Sequence, residues 1–360
     1  MSLLEVEKMK IKLAILEKDQ SYLNKIVTVF STKYADKFEM YSFTDPSIAM
    51  STLDNVKIDV LVADEVFDID TTAIPKRCGF AYFVDSAGVD TLNDQRAICK
   101  FQKAELIYKQ ILSIYSENAG NVSGLKIHDD STKLFSFASP AGGVGTSSVA
   151  SACAKYYAAK GKRVLYLNLE KFGSSDVFFS GEGQFDMSDV IYALKSKKAN
   201  LAMKLESSVK RDSSGVFFYS SSKIALDMLE LSFDDISRLI HELKLLGSFD
   251  IIILDMDFAL DKETIKIYKQ THSLVLVSDG SKSANTKIYR AYNALSVLEQ
   301  GQEATLLSRL SLVYNKFSNK TSEAIADLDI KNIGGAPRYE HATTEQVLEQ
   351  LSSMSMFEKI

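Results

Sequence analysis

A glycine-rich segment near the middle of the chain, SPAGGVGTSSVA at residues 139–150, constrains the fold more than any other feature of the sequence. It follows the short apolar run 134–138, which is typical of a buried strand. It precedes residues 149–160, whose apolar side chains recur at helical spacing up to a stop at Gly161. This order places the loop at a helix N-terminus, where unpaired N–H groups and a partial positive charge favour anions. The sequence therefore predicts a phosphate-binding loop within an α/β domain.

The loop lacks the lysine that phosphate-binding loops normally carry. In the pattern G-x-x-x-x-G-K-[ST], backbone N–H groups hold the phosphates, the lysine contacts their oxygens and the hydroxyl binds Mg²⁺. Thr146 stands at the lysine position here, and Ser147 stands at the hydroxyl position. We therefore expect phosphate binding by the backbone and the helix N-terminus, with weaker electrostatic attraction than a lysine would give.

Length and composition are those of a two-domain globular protein. The chain has 360 residues, of which 46% are hydrophobic and 25% charged, and its net charge is -5. No basic cluster stands out, so nucleic acid is not expected as a partner. The first residues alternate charged and apolar side chains too closely for a signal peptide, and no apolar run reaches a membrane-spanning length. The three cysteines, Cys78, Cys99 and Cys153, lack metal-binding spacing and are expected to be buried, reduced thiols.

Two α/β domains are predicted, at residues 1–118 and 133–360, with a polar, turn-rich linker at residues 119–132. Strands of the first domain are expected at residues 11–16, 38–42, 60–63, 81–84 and 97–99. Amphipathic segments separate them, so we predict five strand–helix pairs in a small parallel α/β domain.

The first domain resembles the receiver domain of two-component signalling. Asp64 ends the third predicted strand, where that family has its phospho-acceptor aspartate, and Lys100 stands at the place of its lysine. The acidic pair after the first strand is replaced by Glu17 and Lys18, and Ser86 is displaced from the position of the family's hydroxyl. We interpret Asp64 as the end of a strand in a surface loop, and we expect an atypical receiver domain that serves in docking.

The second domain is predicted to be a doubly wound, mostly parallel sheet. After the strand that precedes the loop, further strands are expected at residues 163–169, 249–255, 273–278 and 310–315. The run FDIIILD is continuously apolar and ends in Asp255, as in a buried parallel strand that presents a carboxylate at its C-terminal edge. Ligands of such sheets bind outside the carboxyl ends of the strands, where the loop, Asn168, Asp255 and Asn315 all fall.

The order of these motifs resembles the ParA/MinD group of deviant Walker A ATPases. The shared series is the GGVG loop, the VLYLNLE strand, the FDIIILD strand, the LVYNK strand and a late GGAP turn at residues 334–337. With a receiver-like domain in front, the chain is similar to the CpaE/TadZ proteins of tight-adherence pilus systems. This resemblance implies a flavodoxin-like receiver fold, a C-terminal P-loop NTPase sheet, and ATP and Mg²⁺ as cofactors.

The resemblance also implies a set of nucleotide-binding residues. By position, the phosphate cradle and the first helical turn are Gly142, Gly143, Val144, Gly145, Thr146, Ser147 and Ser148. Ser147 and Asp255, at the Walker B position, are the implied Mg²⁺ ligands. Asn315 matches the asparagine that reads the adenine edge, and Pro337 matches the loop that covers the base.

Several catalytic features of the family are missing. Its first signature lysine, which reaches across a nucleotide-sandwich dimer, is Ala141 here, and its second is Thr146. The family's D-x-D motif is Asn168 and Glu170. Because an amide cannot serve as a base, Glu170 remains the candidate catalytic residue. We therefore expect a protein that binds ATP, hydrolyses it weakly or not at all, and uses it to stabilise a homodimer.

Three other functions remain open at this stage. An active partitioning ATPase would need replacement cations and a catalytic acid. A response regulator would need phosphorylation of Asp64. A dinucleotide-binding oxidoreductase would also use a glycine-rich turn, but the GGVG spacing differs from G-x-G-x-x-G.

The resemblance implies a second copy of the chain and the pilus assembly machinery as partners, the latter through the receiver-like domain. A cytoplasmic location is expected, with recruitment to the cell pole or inner membrane by partners left open. Near the C-terminus, Thr343 and Gln346 resemble a capping box. The apolar stripe that follows consists of Val347, Leu351, Met354 and Phe357. Because only Lys359 is basic there, we predict a terminal helix packed on its own domain, without direct membrane insertion.

Overall fold

The computed structural model describes residues 10–118, 132–196, 200–300 and 306–360, so residues 119–131 of the predicted linker lie outside the described residues. Along these ranges the strands are β1 (Ile11–Leu16), β2 (Phe38–Phe43), β3 (Val60–Asp64), β4 (Gly79–Val84), β5 (Thr91–Leu92), β6 (Gln95–Cys99), β7 (Lys133–Ala138), β8 (Val164–Asn168), β9 (Lys210–Arg211), β10 (Phe217–Phe218), β11 (Ile251–Asp255), β12 (Ser273–Ser278), β13 (Leu310–Phe317) and β14 (Lys331–Pro337). The α-helices are α1 (Gln20–Lys33), α2 (Pro46–Val56), α3 (Ala104–Asn118), α4 (Thr146–Ala159), α5 (Met187–Lys195), α6 (Leu201–Ser208), α7 (Leu226–Leu229), α8 (Phe233–Leu246), α9 (Lys262–Lys269), α10 (Lys282–Leu298) and α11 (Thr344–Ser352). Short 3-10 turns are Thr71–Ala73, Ser175–Val177, Leu307–Arg309 and Ser355–Lys359.

The first compact unit contains a sheet of six strands in the order β2-β1-β3-β4-β6-β5. Its first five strands are parallel, and the order of the first four is that of flavodoxin-like folds. Alternating apolar residues of these strands are buried on both faces, as expected for a parallel sheet covered by helices. The predicted receiver-like fold is therefore confirmed.

The prediction of five strand–helix pairs in this unit was wrong. Within residues 10–118, α-helices follow only β1, β2 and β6. A 3-10 turn, Thr71–Ala73, lies between β3 and β4, and the antiparallel β5–β6 hairpin takes the place of a helix after β4. Asn93 and Asp94 both have positive φ, 51° and 58°, as a tight primed turn requires. The segment between β4 and β6 is too short for a helix with two connecting loops.

Helix α6 comes from the middle of the second half of the chain but belongs to the first unit, where it packs on α3. Glu206 accepts a hydrogen bond of 2.7 Å from the Tyr108 hydroxyl and forms an ion pair of 2.8 Å with Lys37. The buried Lys204 ammonium donates to the Ser113 hydroxyl over 2.9 Å. The second predicted domain, residues 133–360, is therefore interrupted, because Ser196–Ser208 group with the first unit.

The second unit contains a sheet of eight strands in the order β14-β13-β12-β7-β11-β8-β10-β9. All pairs are parallel except β9–β10. Strand β7, which precedes the glycine-rich loop, lies between β11 and β12, so the chain order reverses there. This point is where α/β sheets bind ligands, outside the carboxyl ends of the strands. The predicted doubly wound, mostly parallel sheet is confirmed.

The GGAP segment is part of a strand, which corrects its description as a turn. Residues Gly334 to Pro337 end β14, the edge strand that pairs in parallel with β13. A Cβ atom at Gly335 would lie 2.7 Å from the Tyr314 Cβ, so this approach of the two strands requires glycine. The pairing is irregular between Tyr314 and Phe317, which marks a bulge close to the loop.

The C-terminal helix α11 begins with the predicted capping box, in which Thr343 and Gln346 hydrogen-bond each other's backbone N–H groups. It packs on α4, and Leu351 and Phe357 are fully buried in the core of the second unit. The predicted packing of this helix on its own domain is therefore confirmed. Within the described ranges, no helix is both long and apolar enough to cross a membrane.

The three cysteines are free, as expected, but they differ in burial. Cys78 and Cys153 are buried, and burial raises the pKa of both thiols. Cys99 is only half-buried, because it ends β6 near the edge of the first sheet, so the expectation of burial was wrong for this residue.

Candidate functional site

The glycine-rich loop turns sharply between β7 and α4. Gly143 and Gly145 have φ values of 77° and 85°, in the left-handed region that favours glycine. A Cβ atom at Gly145 would lie 2.4 Å from the Asn315 Nδ2 atom, so no larger residue fits there. Gly145 also precedes α4 without a side-chain cap, which leaves the N–H groups of the first helical turn without side-chain acceptors.

Three side chains hold the loop in place. The Asn315 amide donates to the Val144 carbonyl over 2.8 Å, and the Lys316 ammonium donates to the Gly143 carbonyl over 2.9 Å. The Ser139 hydroxyl donates to the Val277 carbonyl over 2.6 Å and accepts from the Ala141 N–H over 3.1 Å. The loop is thus tied to β12 through Ser139 and to β13 through the carbonyl groups of Gly143 and Val144.

A cleft of about 390 Å³ lies beside this loop. It is lined by Ser139, Ala141, Gly142, Gly143, Gly145, Thr146, Ser147, Ser148, Glu170, Phe178, Met256, Asp257, Phe258 and Lys316. The cleft therefore brings together most of the residues that the sequence predicted for phosphate binding, along with Glu170. Val144 is buried below it, and neither Asn315 nor Pro337 belongs to its lining in the described part of the chain.

Asp255 lies beneath the cleft, fully buried at the end of β11. Its Oδ2 atom accepts a hydrogen bond of 2.6 Å from the Tyr166 hydroxyl, and its Oδ1 atom has no hydrogen-bond partner. Burial first, and then the charge of Glu170, raise the pKa of Asp255 to about 7. A buried carboxylate oxygen without a partner is costly unless a cation or another donor meets it.

Two polar side chains connect Asp255 to the cleft. The Ser147 hydroxyl donates to the Glu170 Oε2 atom over 3.1 Å. The Asn168 amide lies 3.4 Å from both Glu170 Oε2 and Asp255 Oδ2, and its oxygen accepts from the Glu170 N–H over 3.0 Å. Asn168 thus places donor hydrogens between two acids, where an aspartate would add a third negative charge.

This donor set fits a Mg²⁺ ion that arrives with a nucleotide. Among the described residues, no group of three or more His, Cys, Asp or Glu side chains could hold a metal ion. Mg²⁺ in phosphate sites commonly uses one or two protein ligands, with phosphate oxygens and water completing the shell. The unpartnered Asp255 oxygen and the nearby Ser147 hydroxyl match that requirement.

Asn315 and Pro337 lie on the outer strands of the same sheet edge. Asn315 is buried on β13, with its amide bonded to the loop, and Pro337 ends β14 opposite Phe317. The contact between Asn315 and Val144 is support for the loop, which the sequence did not suggest. Lys316 was likewise missed as a site residue, although its position directly after Asn315 at the end of a predicted strand was a usable signal.

The first unit has its own cluster of charged side chains at the carboxyl ends of β1, β3 and β4. The Lys100 ammonium lies 3.0 Å from Asp64 Oδ2, 3.2 Å from Glu17 Oε2 and 3.2 Å from Asp85 Oδ1. Asp64 is only 2% exposed, so its interpretation as part of a surface loop was wrong. Lys18 is exposed, and Asp19 caps α1.

Burial first, and then hydrogen bonding to Asp64, raise the pKa of Glu17 to about 7. Burial acts in the same direction on Asp64, but hydrogen bonds from Glu17 and Lys100 lower the pKa of Asp64 below its ordinary value. Of the two carboxyl groups, Glu17 is therefore the one that takes up a proton more readily as the pH falls. The positive charge of this cluster comes from Lys100. A typical receiver domain has both a lysine and a bound Mg²⁺ at this place.

Comparisons with known proteins agree with this architecture. Residues 9–116 match the family model described as TadZ-like, receiver domain, whereas the curated proteins gave no match. Among solved structures, a ParA family ATPase from Chlorobium tepidum TLS is 20% identical, with 64% of this chain and 96% of that chain covered and a TM-score of 0.49. MinD from Pyrococcus horikoshii OT3, complexed with Mg-ADP, is 16% identical, with 61% and 94% covered and a TM-score of 0.47. The MinC:MinD complex of Aquifex aeolicus is 14% identical, with 62% and 97% covered and a TM-score of 0.46.

The fold defines a receiver-like domain followed by a doubly wound α/β domain with a glycine-rich loop between strand and helix. The strand order and the loop geometry establish the second fold by themselves. The family model of the TadZ-like receiver domain, which matches residues 9–116, supports the first assignment. The second unit adds a doubly wound, mostly parallel sheet with a glycine-rich loop at its switch point.

Proposed function

We propose that the second unit binds ATP with Mg²⁺ and uses it to hold two copies of the chain together, with slow or absent hydrolysis. One observation carries the proposal. The uncapped N-terminus of α4 opens onto a cleft beside Asp255, whose buried Oδ1 atom has no partner. A polyphosphate would meet the helix N–H groups, and its Mg²⁺ would meet the unpartnered oxygen.

The roles of the individual residues follow from their positions. The backbone from Gly142 to Ser148 would hold the phosphates, and Ser147 and Asp255 would hold Mg²⁺. The ion supplies positive charge to the phosphate oxygens. We assign Asn315 and Pro337 to the adenine side of the site, because both lie on outer strands at the same edge of the sheet. Asn315 would do this while its amide supports the loop.

Three features support slow turnover. Ala141, at the first lysine position, is buried in the apolar core, and Thr146, at the second, has no charge. Asn168 offers an amide where a base would be needed. Loss of one preorganised donor typically lowers the rate by roughly 10²–10³-fold. We therefore assign Glu170 to contact the attacking water. Its hydrogen bond with Ser147 places it next to the proposed Mg²⁺ site.

A homodimer is supported by apolar side chains near the same edge. Phe172 and Val177 are 79% and 60% exposed, and both follow β8 within ten residues of Asn168. Exposed apolar groups next to a ligand cleft suit a surface that becomes buried when the ligand is bound. We further propose that the dimer serves as a localisation or scaffold protein in tight-adherence pilus assembly, which it joins through the receiver domain. The family of residues 9–116 supports this proposal.

Calorimetry with ATP, ADP and Mg²⁺, together with a sizing column, tests the proposal. We expect ATP binding that depends on Mg²⁺ and a shift from monomer to dimer. Ser147→Ala should lose the Mg²⁺ dependence, whereas the matched Ser148→Ala should retain it. Gly145→Ala should abolish binding, because its Cβ meets Asn315. No binding by the unchanged protein would contradict a nucleotide function.

Turnover of radiolabelled ATP separates the proposal from its nearest alternative. A hydrolysis rate like that of active ParA-type enzymes would instead identify an active partitioning ATPase. We expect a rate at least about 10²-fold lower, because preorganised donors are missing.

Phosphorylation of Asp64 is the second alternative. Since Lys100 and Glu17 both contact this carboxyl group, we expect no gain in mass when the protein meets a small phosphodonor and Mg²⁺. A gain in mass that Asp64→Asn removes would identify a working response regulator.

A further inference from the structure

Lys316 has an unusual backbone conformation next to the proposed nucleotide site. Its φ is 57°, in the left-handed region that lysine rarely adopts. It lies in β13 at the point where pairing with β14 becomes irregular, between Tyr314 and Phe317. Backbone strain of this kind persists where the surrounding structure fixes it, and it concentrates at functional sites. Here the strained residue is a lysine of β13 whose side chain contacts the glycine-rich loop.

The Lys316 side chain reaches the loop itself. Its ammonium donates to the Gly143 carbonyl over 2.9 Å, and the residue lines the cleft while remaining exposed. A lysine ammonium has three donor hydrogens. It can therefore keep the bond to Gly143 and still donate to a phosphate oxygen beside the loop.

The charges around the cleft favour such a cation. Of the described residues that line the cleft, Glu170 and Asp257 are acidic and Lys316 alone is basic. Asp255 adds a third carboxyl group beneath them. A nucleoside triphosphate would bring several more negative charges, which one Mg²⁺ would only partly offset.

We propose that Lys316 is the phosphate-binding cation of this site, in place of the loop lysines replaced by Ala141 and Thr146. The inference rests on the proposed ATP binding and deepens it. It predicts selectivity by phosphate number, with nucleoside triphosphates bound more tightly than diphosphates and monophosphates bound weakly. The cation comes from the end of β13 and not from the loop.

The test compares ATP, ADP and AMP binding to the full-length protein and three variants by calorimetry with Mg²⁺. Lys316→Gln should weaken ATP binding by about 10- to 100-fold, since a charge-assisted hydrogen bond is lost, and should leave AMP binding within about 3-fold. Lys316→Arg should recover most of the ATP affinity. Lys320→Gln, an exposed lysine outside the cleft lining, should match the unchanged protein. Thermal unfolding without nucleotide shows that the variants are folded.

The outcomes separate this inference from the proposed function. If the unchanged protein binds ATP and Lys316→Gln binds it equally well, only the role of Lys316 is overturned. If Lys316→Gln loses all three nucleotides to the same degree, the lysine supports the loop and does not bind phosphate, which also overturns the inference. If the unchanged protein binds none of them, both fail. A salt dependence of ATP affinity that is steeper in the unchanged protein than in Lys316→Gln would support it independently.

Discussion

At the scale of single residues, the second unit contains an acid, Asp255, whose ionised form is disfavoured by burial in the folded chain. Asp255 is fully buried, its Oδ1 atom has no partner, and its pKa is raised to about 7. The ionised form is therefore less stable in the folded chain than in the unfolded chain. A cation that reached this oxygen would offset the cost, which is why Asp255 is assigned to the proposed Mg²⁺ site.

Asp255→Asn is expected to stabilise the nucleotide-free protein at pH 8 and to weaken Mg²⁺-dependent ATP binding. The folded pKa of about 7 lies above the ordinary value of 3.8, so protonation favours the folded state below pH 3.8, and this benefit is lost as the pH rises through 7. The variant has no such ionisation, so it avoids this loss of folding free energy, which is on the order of 2–4 kcal/mol. Thermal unfolding between pH 4 and 8 measures it.

The exposed Asp257 serves as a control for this measurement, because Asp257→Asn should change the melting temperature much less than Asp255→Asn does at pH 8. A melting temperature of Asp255→Asn that exceeds the unchanged protein's equally at pH 4 and pH 8 would contradict the explanation.

Lys100→Met is expected to destabilise the first unit strongly at pH 8 and less at pH 5.5. It leaves Glu17 and Asp64 buried without a cation, which costs about 3–5 kcal/mol. The pKa of Glu17 is already raised to about 7, so its carboxylate costs stability as the pH rises through that value. At pH 5.5 the variant can protonate Glu17 instead.

Urea unfolding followed by circular dichroism at the two pH values checks this. Asp85→Asn removes the most exposed contact of Lys100 and should cost less than about 1 kcal/mol. Equal losses at both pH values for Lys100→Met would show that protonation of Glu17 does not compensate.

The sequence predicted candidate site residues from local pattern. The glycines and hydroxyls of the loop and Asp255 were predicted from their positions after strands, and they lie at the same edge of the second sheet. Lys316 was missed although its position after Asn315 was a usable signal, because its contact with the loop depends on a bulge and a left-handed backbone that the run LVYNK does not reveal. The burial of Asp64 was missed because it depends on Lys100, 36 residues away.

At the scale of elements, the helix α11 is a structural part of the second unit. Leu351→Ala should therefore lower the free energy of unfolding by about 2–5 kcal/mol, as large-to-small changes in cores do. Glu349→Ala, on the exposed side of the same helix, should change it by less than about 0.5 kcal/mol. Chemical unfolding monitored by fluorescence gives both values. An unchanged stability of Leu351→Ala would mean that the helix does not stay packed in solution.

Strands were predicted better than the connections between them. The apolar runs of β1, β3 and β12 are easy to recognise in the sequence, because strands covered on both faces are apolar along most of their length. The hairpin of β5 and β6 was missed, since Thr91–Leu92 is only two residues long and its turn uses Asn93 and Asp94 without glycine. The GGAP strand was taken for a turn because glycine and proline usually mark turns.

At the scale of the whole molecule, the chain divides into two units that differ from its division by sequence. Helix α6 joins the first unit through Glu206 and Lys204, whose partners lie on α3 and on the turn between α1 and β2. Sequence pattern could not show this, because a short amphipathic helix carries no mark of the surface it will cover.

A protease site introduced into the linker at residues 119–132 tests this grouping. After cleavage we expect the two fragments to elute together from a sizing column, because the C-terminal fragment still supplies α6 to the first unit. Adding Met203→Asp and Glu206→Ala, which remove an apolar contact and two polar ones, should release the N-terminal fragment. Separation of the fragments without these changes would show that α6 is not held by the first unit.

The position of α6 also has a consequence for how such chains can be recombined. A chimaera that exchanges only residues 1–118 for those of a relative would leave the host's α6 facing a foreign α3, with Glu206 and Lys204 lacking Tyr108 and Ser113. Exchange of the intact receiver domain therefore requires two separate stretches of coding sequence, one for the N-terminal part and one for the segment that contains α6. The two stretches would have to be inherited together.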